Sequence, residues 1–227
     1  METRQHLSQV DLFKGLTVEQ LEALTRIVSS KKFKKGQLVF SEGDEGTGFY
    51  LVISGRVKIY KLSPEGKEQI MHIFGPGQPF AEVPVFGGTH YPANADAMES
   101  CELFFFPKKG FISLIQKNPS LAMNMLASLS QRLKQFSNLI ESLSLKEVPG
   151  RLASYLLYLS DKKGSIDEFN LDIAKSQLAS LLGTIPETLS RIFSKLGSSE
   201  LVKIDGPRIT ILNREGLEDL AEGETKL

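Results

Sequence analysis

Glu187, Ser190 and Arg191 stand at i, i+3 and i+4, a spacing that puts all three on one face of a helix near its start. These side chains suit the edges of base pairs. An arginine fork donates two hydrogen bonds to guanine N7 and O6, a carboxylate accepts from cytosine N4, and a serine hydroxyl serves either kind of edge. Thr184, Thr188 and Lys195 flank the trio as phosphate-contacting candidates. Glu187 has a second possible use, because Thr184 followed three residues later by a carboxylate is a capping box. Between Lys175 and Arg214 there are six Lys/Arg against three Asp/Glu. The whole chain carries 27 of each sign, so any attraction to nucleic acid has to be local.

Two helices have to hold this face. Lys175–Leu182 reads as the first, ended by Gly183 in the left-handed conformation that glycine adopts cheaply. Thr184 is expected to cap the second, with Pro186 tolerated in the first turn and Leu189, Ile192, Phe193 and Leu196 turned inward. Helix, short glycine turn and helix make a helix-turn-helix. Leu201–Ile204 and Arg208–Leu212, joined by Asp205-Gly206-Pro207, add a β-hairpin wing.

Further upstream, Arg151–Ser160 reads as a helix with Leu152, Tyr155, Leu156 and Leu159 on one face. Pro149 breaks helix interiors, so a longer preceding helix must end or bend before it. That longer helix runs from about Ser120 to Leu143. Its apolar residues Ala122, Leu126, Leu129, Leu133, Phe136, Ile140 and Leu143 alternate in steps of four and three. So narrow a seam favours a partner helix, and hence a homodimer, over packing on the protein's own core.

Before residue 119 the pattern changes to strands and glycine turns. Tyr50–Ile53, Ser54-Gly55 and Arg56–Lys61 form strand, turn and alternating strand, and further turns recur about every ten residues. A small all-β roll follows, preceded by a short helix starting near Thr17, where Thr17 and Gln20 form a capping box. The fold class is therefore α+β, an N-terminal β-roll of jelly-roll type, a long dimerisation helix and a C-terminal winged helix-turn-helix. The expected domains are 1–118 for sensing, 119–146 for dimerisation and hinge, and 147–227 for DNA binding.

With 41% hydrophobic and 24% charged residues the composition is that of a soluble globular chain. No apolar run approaches the roughly 20 residues of a membrane span, and the polar start is unlike a secretory signal. The lone Cys101 points to a reducing compartment, the cytoplasm. It also rules out an iron–sulfur cluster, which takes four thiolates. A cupin-like enzyme would need a metal cluster that three scattered histidines (His6, His72, His90) do not supply, so no catalytic residues are expected.

In the order of these elements, and in Phe49–Tyr60 and Gly183–Arg191, the chain resembles the CRP/FNR family of bacterial transcription regulators. The resemblance spans essentially the whole chain. It implies an effector-responsive homodimer on double-stranded DNA, with RNA polymerase as protein partner. Glu-Thr-x-Ser-Arg at 187–191 is similar to the FNR-type reading head, implying TTGA-containing inverted repeats. The cAMP-receptor type carries an arginine where Pro186 stands and a glycine where Ser190 stands.

The resemblance also directs attention to 80–93. Cyclic-nucleotide binders of this fold use Gly-Glu and Arg-Ser/Thr-Ala; here Glu82 and Ala93 match, but Ala81, Tyr91 and Pro92 replace the glycine, the arginine and the hydroxyl residue. Phosphate capture needs a fixed positive fork, and no arginine occurs between Arg56 and Arg132. This argues against cAMP; the alternative function, a cyclic-nucleotide-binding regulatory protein, would need that missing arginine and would not need a recognition helix. The resemblance further implies either a small apolar effector or a haem sensing NO or CO, as in regulators of nitrosative-stress genes. Glu82, Phe80, Tyr91 and Phe86 are the candidate effector-pocket residues. His72, His90 and Met71 are the candidate haem ligands, being neutral donors of the right type, though His72 and His90 serve equally as ordinary structural histidines.

Overall fold

The computed structural model describes residues 2–162, 164–171, 173–225 and 227. The chain divides after Leu133 into two compact units. The first opens with α1 (Glu2–Ser8), a 3-10 turn at Asp11–Phe13, and α2 (Val18–Ile27). The capping box at the start of α2 forms: Thr17 Oγ1 accepts from the Gln20 N–H at 3.4 Å, and the Gln20 side chain takes the Thr17 N–H at 2.8 Å.

Eight strands follow, β1 (Ser29–Phe33), β2 (Leu38–Phe40), β3 (Gly48–Ser54), β4 (Val57–Leu62), β5 (Glu68–Phe74), β6 (Pro79–Phe80), β7 (Asn94–Ala97) and β8 (Cys101–Pro107), with the single-turn helix α3 (Val83–Phe86) between β6 and β7. They pair antiparallel in two four-stranded sheets, ordered β1-β8-β3-β6 and β2-β7-β4-β5. This is the expected roll.

Strand β8 divides the core by its two-residue period. Leu103 and Phe105 point into the roll with Phe40, Tyr50, Phe80 and Tyr91, whereas Phe104 and Phe106 pack outward with Phe13, Leu24, Phe49, Phe111 and Leu121. The outward cluster explains α4 (Lys108–Lys117), a helix that the turn-rich reading of this region missed; it buries Phe111 against the sheet.

The long helix α5 (Pro119–Leu145) carries the chain from the first unit into the second. It buries Leu121 and Met125 in the outer cluster. Of the expected seam, Leu126, Leu133 and Ile140 are 57%, 68% and 65% exposed, and they recur every seven residues.

The second unit contains α6 (Val148–Lys162), β9 (Glu168–Asn170), α7 (Lys175–Leu181), α8 (Pro186–Ser198), β10 (Val202–Asp205), β11 (Arg208–Ile211) and α9 (Arg214–Glu222). Pro149 lies in the first turn of α6, where a missing N–H costs no helical bond. The wing is a three-stranded sheet, β10-β11-β9, rather than a plain hairpin. Its third strand is three residues long, too short to show a period, and is held by pairing Phe169 with Ile209. The capping box expected at Thr184 does not form. Pro186 pushes the residue before it out of the helical region, so Ile185 at φ −109°, ψ 154° is the N-cap and caps with no side chain. Glu187 is then the second helical residue, one position too early to close a box.

Candidate functional site

Helix α8 is strongly two-faced. Leu189, Ile192, Phe193 and Leu196 are buried, while Glu187, Ser190, Arg191 and Lys195 are exposed on the other side. Gly183, at φ +67°, makes the turn from α7 into α8 that a side-chain-bearing residue would make only with strain. Because it is no longer a capping carboxylate, Glu187 is left available to face a ligand. Arg191 Nη2 donates to Thr188 Oγ1 at 3.1 Å, which restricts the guanidinium on the exposed face. Thr184 is half-buried, with its N–H donating to the Ala179 carbonyl at 2.9 Å, and Lys195 Nζ donates to the Leu227 carbonyl at 3.4 Å. Glu187, Thr188, Ser190 and Arg191 are thus brought together within about one helical turn, with Lys195 one turn on and Thr184 set back in the connecting turn.

In the first unit the candidate effector residues separate. Phe80 is wholly buried, its ring 5.4 Å from Tyr50 and 6.3 Å from Phe40. Tyr91 stacks on Phe40 at 3.9 Å and donates its hydroxyl to the Gly48 carbonyl at 3.0 Å. Both therefore fill the roll interior. Phe86 is half exposed on α3.

Glu82 holds a contact that the sequence did not reveal. Its side chain is 6% exposed and its two oxygens accept from Arg132 Nη1 at 2.9 and 2.8 Å. Arg132 Nη2 donates to the Pro79 carbonyl at 2.6 Å, and the guanidinium lies 4.8 Å from the Phe74 ring centroid. The arginine absent from the roll's own strands is thus supplied by α5. Leu121 and Arg132 are eleven residues apart, three helical turns, and so share one stripe of α5. That relation across 50 residues of sequence carries no local signal.

Beside Glu82, Ala81 adopts φ +65°. A left-handed conformation costs an alanine about 1–2 kcal/mol, partly offset by the greater chain freedom glycine loses on folding. Ala81→Gly is therefore expected to stabilise the protein by about 1 kcal/mol. Urea denaturation followed by circular dichroism checks this, and an unchanged or lowered midpoint contradicts it.

The haem-ligand candidates lie in different settings, Met71 and His72 on β5 and His90 in a bridge with Glu45. Met71 is the bulged residue of β5, skipped where β4 pairs Ile59 with His72 and Tyr60 with Ile70, and it is exposed. His90 is exposed, with Nδ1 2.8 Å from Thr89 Oγ1. His72 lies 4.5 Å from the Phe74 ring, on the side of the buried guanidinium. Met71 and His90 lie exposed, so neither offers a buried axial donor for a haem iron. Among the described residues, no three His, Cys, Asp or Glu side chains gather as a metal would require. Cys101 is buried, its thiol pushed up from the ordinary range by burial.

Burial, with the Arg132 charge adding to it, pushes His72 down to about 4. The unfolded chain takes up a proton near an ordinary 6.5 that the folded unit refuses. The stability this supplies is complete above about 6.5 and is lost as the pH falls through that value toward 4, by about 3 kcal/mol in all. His72→Gln is expected to flatten this part of the profile. Parallel losses in wild type and variant, measured by denaturation at about pH 7 and pH 4.5, contradict it.

A two-sheet roll, a long helix with an unburied apolar seam, and a winged helix-turn-helix with a polar reading face define a DNA-binding transcription regulator. Residues 30–118 match the cyclic nucleotide-binding domain family and residues 150–220 the Crp-like helix-turn-helix domain family. The chain is 32% identical over 227 residues to the fumarate and nitrate reduction regulatory protein of Escherichia coli, covering 97% of this chain and 89% of that one. It is 30% identical to the cyclic AMP receptor protein of Thermus thermophilus, covering 93% and 97%. The structure of FixK2 from Bradyrhizobium japonicum shares the fold, with TM-score 0.73 at 22% identity over 86% of this chain and 97% of that one. The chain belongs to the CRP/FNR family of transcription regulators, whose members are not enzymes.

Proposed function

We propose that the protein acts as a homodimer that reads palindromic DNA with TTGA-type half-sites, under the control of an effector sensed by the roll. The observation that carries this reading is the exposed face of α8, with Glu187, Ser190 and Arg191 aligned and Arg191 held by Thr188. A carboxylate at the helix start suits a cytosine N4 and the arginine fork suits a guanine, the base content of a TTGA half-site and its complement. The exposed seven-residue repeat Leu126, Leu133 and Ile140 on α5 supports pairing with a second copy. Two recognition helices then enter successive major grooves about 34 Å apart. The effector acts by binding one dimer arrangement better than the other, and RNA polymerase is the partner through which occupancy changes transcription.

Cyclic AMP, named for the Thermus relative, is not carried over. Glu82 is already held by Arg132, Tyr91 is committed to the ring stack, and Pro92 offers no N–H. Haem-based sensing of NO or CO finds little support, since Met71 and His90 lie exposed. Gel-shift competition between TTGAC and TGTGA palindromes tests the proposal. Preference for the first is expected, and no preference of either over random DNA overturns it.

A further inference from the structure

Arg151, one residue beyond Gly150 at the start of α6, ties together the ends of two other helices. Its Nε donates to the Lys146 carbonyl at 2.9 Å and its Nη2 to the Leu143 carbonyl at 3.3 Å, both at the end of α5. Its Nη1 donates to the Leu182 carbonyl at 2.7 Å, where α7 closes just before Gly183. Helix C-termini leave carbonyls without intrahelical partners and carry partial negative charge, so one guanidinium satisfies both ends at once. Lysine cannot do the same, since its point-like ammonium lacks a fork that spans two directions.

The platform for this fork is rigid. A Cβ at Gly150 would lie 2.9 Å from the Leu220 carbonyl, so the start of α6 is pressed against α9 with no room for a side chain. From that base, Arg151 reaches on one side to α5 and on the other to the turn that launches α8. We infer that Arg151 is a positioning residue for DNA reading, fixing the direction of the recognition helix relative to the end of α5. This role deepens the proposed function and rests on it, because only a paired reader needs its two helices held at one separation.

The test uses Arg151→Lys and Arg151→Gln in the full chain, with Cys101→Ser, Ser144→Cys and Ser199→Cys added for spin labels at two exposed sites near the ends of α5 and α8. Labelled chains are diluted with unlabelled ones, and the intrachain distance distribution is read by double electron–electron resonance. A narrow distribution is expected with Arg151 and a clearly broader one in both variants, while circular dichroism shows the helices retained. In parallel, affinity for a palindrome should fall about tenfold and affinity for an isolated half-site should stay within about twofold, since the reading face itself is untouched. Equal widths in parent and variants overturn the inference, as does an equal fractional loss on palindrome and half-site, which is what a merely destabilised fold produces. Failure of the proposed function reads out separately, as absence of any palindrome preference in the chain that retains Arg151; the positioning role then falls with it.

Discussion

Arg132→Ala is expected to destabilise the N-terminal unit by about 3–5 kcal/mol, the range for removing one partner of a buried ion pair. The loss is large because the substitution strands its neighbours. Glu82, 5% exposed as a residue, keeps its carboxylate but loses both charge-assisted bonds, the Pro79 carbonyl loses its 2.6 Å donor, and Phe74 loses its cation. Replacing both partners together, as Glu82→Gln with Arg132→Met, removes the stranded charge and should recover most of the loss. Urea denaturation of wild type and the two variants, followed by circular dichroism, separates the effects. A single Arg132→Ala loss below about 1 kcal/mol, or a double variant no better than the single, would show that the pair does not stabilise the unit. The same contact fixes Arg132 on the stripe of α5 that also buries Leu121, so it bears on which face of that helix stays exposed.

Arg191→Ala is expected to weaken binding to the preferred palindrome by about 1–3 kcal/mol, roughly 5- to 150-fold, and to flatten discrimination at one base pair of each half-site. The guanidinium is exposed and donates to Thr188 Oγ1, itself on the outer side of α8, so removing it strands no buried group among the described residues and the fold should be unaffected. Lys195→Ala makes the contrast. Its exposed ammonium holds a long, 3.4 Å contact with the Leu227 carbonyl and suits a phosphate, so its removal should weaken all sequences alike and lower the salt slope by about one. Equal affinity of wild type and Arg191→Ala for the palindrome would sink the assignment of Arg191 to base reading.

The exposed face of α8 is legible in the sequence because it rests on helical spacing: burying Leu189, Ile192, Phe193 and Leu196 leaves Glu187, Ser190 and Arg191 outside. The start of α8 differs from the Thr184–Glu187 capping-box pattern, because Pro186 constrains Ile185 to extended backbone and makes it the N-cap. The roll was legible from turn punctuation and alternation, but β9 and α3 were too short to show a period, and α4 was hidden in a stretch read as strands. The surroundings of Glu82 are least legible, and for a different reason. Glu82 and Arg132 are 50 residues apart and meet only through the packing of α5 within the first unit, so no local sequence pattern links them. The phenylalanines read as a possible pocket lining are instead divided by β8 between two packed clusters.

The central claim, a paired reader of two half-sites, is tested most directly by titrating the protein onto a TTGAC palindrome and onto the same duplex with about 5 base pairs inserted between the half-sites. That insertion turns one half-site to the opposite face of the helix, about half a turn of 10–10.5 base pairs. Two chains per duplex on the intact palindrome, and affinity on the expanded one reduced to that of a single half-site, are the results predicted. One chain per duplex, or indifference to the insertion, would contradict the account.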